Sequence, residues 1–315
     1  MPDSPQELLE LLIPESDEER CRAIARELVE RCDGALAGQL LRLLNSYPGP
    51  VAEAAAFLLA ERSTGGFVSA GAVPDAIAGF SHASPEVRQW CATILRGIGA
   101  DARAAVDPLL NALNDPDAGV RQAVVGALGR IAGDSEPVLL ACVKLLGDDL
   151  SVRNAVVRLL GGASALPESV RHAVGAALRA KEPRTRMGAA AAAGALQCRH
   201  PGFSRCLLKA LKDSEPDVRA EAARALAELS LPERAVVLAL GRALKDTAPC
   251  VRQQAARALD ILGSVAAPAV PYLVAVLKDP DPTVRFHAVE ALEILAPRQP
   301  VMLPAVVLAL SNRLI

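Results

Sequence analysis

A valine-arginine pair returns along the chain at an almost constant interval, and that interval restricts the fold more than any other feature. It stands at Val87-Arg88, Val120-Arg121, Val152-Arg153, Val218-Arg219, Val251-Arg252 and Val284-Arg285, with Thr185-Arg186 in the slot between the third and fourth. Successive slots are 33, 32, 33, 33, 33 and 33 residues apart. An aspartate keeps step: Asp115, Asp213, Asp246 and Asp279 each precede their slot by five residues, and Asp148 precedes Val152 by four. Such self-similarity is the mark of stacked supersecondary units, none of which can bury its apolar face alone.

The unit is clearest at 279–295, DPDPTVRFHAVEALEIL. Counted from Val284, Ala288, Ala291, Leu292 and Leu295 fall at +4, +7, +8 and +11, one face of an α-helix. Pro282 marks a helix start, because proline is tolerated in the first turn and not further in. Asp279 or Asp281 is expected to cap the free N–H groups there. The apolar run 266–278 before it reads as a helix of its own, so each unit is helix, tight turn, helix. First helices are predicted near 72–81, 103–114, 136–147, 167–180, 201–212, 232–245 and 266–278. Second helices are predicted near 85–98, 117–132, 150–161, 183–197, 215–230, 248–262 and 281–296. Divergent helix pairs are expected within 1–62 (5–13 with 16–32, then 35–46 with 50–62), an enlarged loop at 63–74, regular repeats over 72–298 and a closing helix within 299–315.

Composition fits closely packed helices. Apolar residues make up 51 % of the 315 and aromatic residues only 3 %, so the core must be built from Ala, Leu and Val. Net charge is −2, which gives no global attraction to nucleic acid or an anionic membrane. The seven cysteines are scattered and include no CxxC, the usage of a reducing compartment. The opening MPDSPQELLELL lacks a basic segment followed by a long apolar one, so no signal peptide is expected and a cytoplasmic location is. The charge-free run Ile261–Leu277 is short and holds Pro268 and Pro271, which argues against a membrane span.

A period of 33 also suits ankyrin repeats, but neither their TPLHxA pattern nor the WxxLGxxY of tetratricopeptide repeats occurs. Asp, one or two prolines, Val-Arg, Ala at +4 and Leu near +8 resemble HEAT repeats, particularly the short type associated with phycobilisome lyases. The resemblance covers about 72–313 clearly and 5–62 weakly. It implies an all-α, right-handed α-solenoid of stacked antiparallel helix pairs, an ARM/HEAT superhelix whose second helices line the concave side. It also implies an interaction scaffold rather than one set chemistry.

The repeated arginines, Arg88, Arg121, Arg153, Arg186, Arg219, Arg252 and Arg285, each stand in the first turn of a second helix, where the helix dipole disfavours positive charge. A bidentate ladder to Asp115, Asp148, Asp213, Asp246 and Asp279 accounts for both recurring residues. Gln253, beside Arg252, reads as an ordinary exposed position. The non-repeating residues carry more information about partners. The +6 slot gives Thr93, Gly126, Arg158, Ala191, Arg224, Arg257 and Glu290; the +3 slot gives Trp90, Ala123, Ala155, Gly188, Glu221, Gln254 and His287. Trp90, Arg158, Arg224, Arg257, Phe286, His287 and Glu290 are the candidate partner-binding residues, with an Ala/Gly-rich floor at 188–195. Trp90 reads equally well as a core residue beside the 63–74 loop.

Signals of catalysis are weak. His82, His172, His200 and His287 fall in four different repeats, and Cys198, His200 and Cys206 lack a fourth ligand nearby for tetrahedral zinc. GxxxxGK[ST], GxSxG, HExxH and the His-Glu dipeptides of HEAT-like di-iron hydroxylases are all missing. The expectation is a non-enzymatic monomer without cofactor or metal, holding a protein along its concave face, with no membrane partner. A bilin-lyase-like subunit holding a tetrapyrrole or its acceptor protein is one alternative, disfavoured by the shortage of aromatics. A nucleic-acid-binding protein is the other, disfavoured by the mixed charge of the candidate groove.

Overall fold

A computed structural model gives the fold, and residues 41, 50–63, 68–196, 201–229 and 233–295 are the ones described. Among them there is no β-strand. The expected pairs 5–13 and 16–32, most of 35–46, and the closing helix 300–313 lie outside the described residues. The chain divides into two compact units. The N-terminal one comprises Met1–Cys142, Asp149–Leu159 and Ala163–Ala165; the C-terminal one comprises Val143–Asp148, Leu160–Gly162 and Leu166–Ile315.

The N-terminal unit contains α1 (Pro50–Ser63), α2 (Val73–Ala78), α3 (Pro85–Ile98), α4 (Val106–Ala112), α5 (Ala118–Ala132), α6 (Glu136–Val143) and most of α7 (Leu150–Gly162). The C-terminal unit contains α8 (Glu168–Ala177), α9 (Pro183–Ala195), α10 (Pro201–Ala210), α11 (Pro216–Glu228), α12 (Arg234–Ala243), α13 (Pro249–Leu262), α14 (Val270–Ala275) and α15 (Pro282–Leu295). Odd-numbered helices are the second helices of their pairs. Within each unit they pack side by side, α1 on α3 on α5 and α9 on α11 on α13 on α15. Helix α1 runs to Ser63 and a 3-10 turn begins at Ala70; residues 64–67 of the expected 63–74 loop lie outside the described residues.

Stacking explains which slots repeat. Val87, Val120, Val152, Val218, Val251 and Val284 are each at most 1 % exposed, and the +4 and +8 residues of the same helices lie beside them in the core. Every interface is built from one face, so that face cannot drift. Proline opens α3, α9, α11, α13 and α15, where the missing N–H has no partner to lose. Two helices end differently: Gly99 and Gly263 adopt φ of 71° and 55°, which a side chain would oppose, and each turns the chain into a 3-10 segment.

By length and apolar composition the helical run Pro249–Lys278 could cross a membrane. It is not one straight rod. Gly263 and the 3-10 segment Gly263–Ala269 divide it into α13 and α14, which both pack against α15.

Helix α9 departs from expectation. Its small residues were candidates for an exposed floor, yet Gly188, Ala189, Ala190, Ala192, Ala193 and Gly194 are all buried. A helix without side chains to hold neighbours off is approached on most of its circumference. A β-carbon on Gly194 would stand 2.9 Å from the Ala225 Cα of α11.

Candidate partner-binding surface

The repeating arginines and aspartates have a defined geometry. Arg88 donates through Nε and Nη2 to the two carboxylate oxygens of Asp115 at 2.7 and 2.8 Å. Arg186 does the same to Asp213 at 2.7 Å for both bonds, and Arg219 to Asp246 at 2.7 and 2.8 Å. Arg252 reaches Asp279 at 2.8 and 3.0 Å. Each acceptor belongs to the turn of the following repeat. The turn before the arginine's own helix supplies two backbone carbonyls to Nη1; for Arg219 these are Asp213 and Ser214, at 2.8 and 3.0 Å. Each aspartate also accepts a backbone N–H two residues on, as from Ala248 to Asp246 at 2.9 Å. These bonds hold the Asp115, Asp213 and Asp246 carboxyls below the usual carboxylate range, the arginine hydrogen bond being the largest cause.

Arg121 Nη1 donates to the carbonyls of its own turn, Asp115 and Pro116, at 2.7 and 3.0 Å; Asp148 stands at its matching position 27 residues on, and an Asp149 carboxylate oxygen lies 3.8 Å from Nη2. The turn is one residue shorter here, which shifts the acids relative to Val152. Arg153 meets an alanine, Ala180, at the matching position 27 residues on, where the other acceptors are acidic. Arg285 donates to the carbonyls of Asp279 and Pro280 at 2.8 and 3.1 Å, and its matching position, 312, lies outside the described residues. Capping is also divided between the two acids of the last turn. Asp281 accepts the N–H groups of Thr283 and Val284, while Asp279 serves Arg252.

The exposed face of the second helices differs between the units. In the C-terminal unit it is rich in acid. Arg224 is held by Glu221 and Glu228 on its own helix, so its charge is neutralised in place. Burial pushes the Glu228 carboxyl up despite that arginine. His287 Nδ1 lies 3.2 Å from an Asp260 carboxylate oxygen, and the Phe286 ring stands edge-on to the imidazole at 5.2 Å. Glu290 is half-buried and Arg257 is exposed. Apolar side chains also stand in water: Ile261 is 55 % exposed, Ile294 49 % and Phe286 46 %.

In the N-terminal unit the same face is basic. Trp90, half-buried on α3, stacks edge-on with Phe57 of α1 at 5.0 Å, and Phe57 is 38 % exposed. This places Trp90 at the border of core and surface. Arg96, Arg130 and Arg158 are exposed on α3, α5 and α7. Arg96 reaches across to α5, its Cδ and Nη1 3.6 Å from where a β-carbon on Gly126 would stand. Arg130 reaches the other way, with Cγ and Nε 3.9 Å from the same point on Gly99 at the end of α3. A methyl of Leu159 stands 3.1 Å from the β-position of Gly129 and brings α7 alongside. The three helices hold one carboxylate between them, Glu86 in the first turn of α3, which accepts a hydrogen bond from the Ser84 hydroxyl at 2.6 Å.

A family model described as HEAT repeats matches residues 73–151 and 204–293, more than half of the chain. The chain belongs to the HEAT-repeat family. No curated protein matches it. Solved structures resemble its fold at low identity. Importin beta is 15 % identical with a TM-score of 0.68, over 92 % of this chain and 46 % of its own. Kap121p is 13 % identical with a TM-score of 0.55, over 95 % of this chain and 43 % of its own. The Escherichia coli protein YibA is 21 % identical with a TM-score of 0.53, over 89 % of this chain and 97 % of its own. This HEAT-repeat chain therefore spans less than half the length of importin beta and Kap121p.

Of the residues singled out from the HEAT-like register, Trp90 and Arg158 fall in the N-terminal unit; Arg224, Arg257, Phe286, His287 and Glu290 fall in the C-terminal one. His287 and Phe286 are brought together and joined by Asp260. Arg96 and Arg130 escaped the slot-by-slot comparison because they stand at +9 and +10, one register apart. The signal that could have found them is the dearth of carboxylates across α3, α5 and α7. Among the described residues no group of three or more His, Cys, Asp or Glu could hold a metal ion; Cys198 and His200 lie outside them.

Proposed function

We propose that this chain is a non-enzymatic scaffold that binds a protein partner along the face of its second helices, the face that HEAT-like architecture makes concave. The observation that carries the reading is the pair Ile261 and Ile294. They occupy the same slot of successive repeats and are about half exposed, with Asp260, Glu290 and Glu293 within four residues of them along the same helices. Burying a side chain of this kind gains about 1.5–3 kcal/mol, so a repeated exposed isoleucine rimmed by charge fits a surface that is covered in use. The odd-helix slots that stacking does not constrain are also where the repeats differ most, from Trp90 to His287.

The test is differential capture from the source cell. The intact chain is compared with an Ile261→Ser, Ile294→Ser variant and with a first-helix variant, Arg179→Glu, Lys209→Glu. Loss of the same captured protein with the isoleucine variant alone supports the reading. Loss with the first-helix variant alone refutes it.

A further inference from the structure

We propose that Arg96, Arg130 and Arg158 of the N-terminal unit form a docking site for an acidic segment of a protein partner, an inference that rests on the second-helix face being the partner surface. Among the described residues none of the three makes an ion pair or a side-chain hydrogen bond. Arg88, Arg186, Arg219 and Arg252, by contrast, each hold a carboxylate bidentately, and Arg224 is held by two glutamates. What sets the three apart is their setting, three neighbouring helices that hold one carboxylate between them.

Their arrangement brings the charges together. Arg96 leans from α3 over Gly126, and Arg130 leans from α5 back to Gly99, so both stems lie in the groove between these two helices. Like charges sharing a groove repel, and the only carboxylate of the three helices, Glu86, sits in the first turn of α3, ten residues before Arg96. An incoming carboxylate removes that repulsion and meets planar forks suited to bidentate bonds. Phe57 and Trp90, stacked edge-on at 5.0 Å on α1 and α3 of the same unit, offer an aromatic edge for one apolar residue of that segment.

A protein segment fits better than a nucleic acid. Three phosphate contacts would give a salt slope of only about −2.7 for duplex DNA, a small electrostatic term. The chain as a whole is acidic, with net charge −2, and would repel a long polyanion. A short acidic stretch meets only the local field.

The experiment uses the full chain and fluorescence anisotropy at about 50 and 300 mM salt. The probes are a labelled dodecapeptide repeating Glu-Glu-Leu, its Lys-Lys-Leu counterpart and a labelled DNA duplex. The variant is Arg96→Gln, Arg130→Gln, Arg158→Gln. The control removes equal charge from exposed first-helix sites with Arg179→Gln, Arg234→Gln, Arg242→Gln. Circular dichroism checks folding, and single variants replace the triple where it unfolds.

The acidic peptide is expected to bind saturably at low salt, with a loss of about 10-fold in the triple variant and less than about 2-fold in the control. Absence of saturable binding by the acidic peptide, or equal losses in both variants, overturns the site. Binding of the duplex in its place, with the same dependence on the three arginines, reassigns the site to nucleic acid. Capture that still depends on Ile261 and Ile294 after such a failure leaves the scaffold reading standing and removes this site alone.

Discussion

Replacing Arg219 tests whether the arginine ladder holds the repeats together. Its guanidinium makes two bonds to Asp246 and two to the carbonyls of Asp213 and Ser214, all between 2.7 and 3.0 Å. The side chains of Arg219 and Asp246 are 12 % and 14 % exposed. An exposed ion pair contributes about 0–1 kcal/mol, and breaking a fully buried one costs about 3–5. This pair lies between those limits, so Arg219→Ala should cost about 2–3 kcal/mol. Arg219→Lys keeps the charge but not the fork and should cost about 1–2 kcal/mol. A double-mutant cycle with Asp246→Asn should show a coupling of about 1–2 kcal/mol. Repeat arrays can open segment by segment, so urea unfolding is paired with hydrogen exchange of peptides spanning 213–252. The pH dependence has a definite sign. Asp246 is held below its ordinary value by the Arg219 bond, so its contribution is complete above the unfolded value of about 3.9 and is lost as pH falls through the lower folded value. The stability gap between the native chain and Asp246→Asn should be flat from about pH 7 to 5 and should close in stronger acid. A coupling below about 0.3 kcal/mol, or a gap that survives far below pH 3, would show that the ladder is decoration.

Gly194→Leu should cost more than about 2 kcal/mol in urea unfolding, because Ala225 and Glu228 of α11 occupy the space its side chain needs, and Gly175→Leu, with nothing near its β-position, should cost far less. Burial pushes the Cys91 and Cys142 thiols up to about 12, so iodoacetamide at pH 8 should leave both unmodified in the native chain and label them in urea, as read by peptide mass spectrometry; labelling of either at the rate of the unfolded chain would contradict the packing.

The helix pairs were legible because stacking makes the sequence repeat itself. Val at the slot and Ala or Leu at +4 and +8 state the buried face directly, and Pro states where each second helix begins. The bonding pattern of the ladder was less legible. Sequence placed an aspartate both in each arginine's own turn and in the next, and only the reach of the guanidinium separates their uses. The near turn supplies carbonyls and the far turn supplies the carboxylate, which is why each rung links residues 27 apart. Gln253 was misread for the same reason. It is half-buried, and its Nε2 donates to Asp281 Oδ2 at 2.7 Å in the next repeat, a lateral contact invisible along its own helix.

The partner surface was harder to read because register describes backbones and charge acts through side chains. Arg224 looked free at +6, yet Glu221 and Glu228 stand three residues before it and four after, a spacing that faces them on one helix. Arg96 and Arg130, at +9 and +10, were not among the candidate residues, yet long stems carry them toward each other over Gly126 and Gly99. The Ala/Gly run of α9 looked open because its residues are small, and it is buried for that same reason. In each case the missing quantity is side-chain length. Where a slot holds a short residue the neighbours close in, and where it holds arginine the charge is delivered about 6–7 Å from its own backbone. A repeat protein can therefore keep one core pattern and still vary its surface. The constrained slots hold the spacing of the helices, and that fixed spacing lets an arginine on one helix address the next.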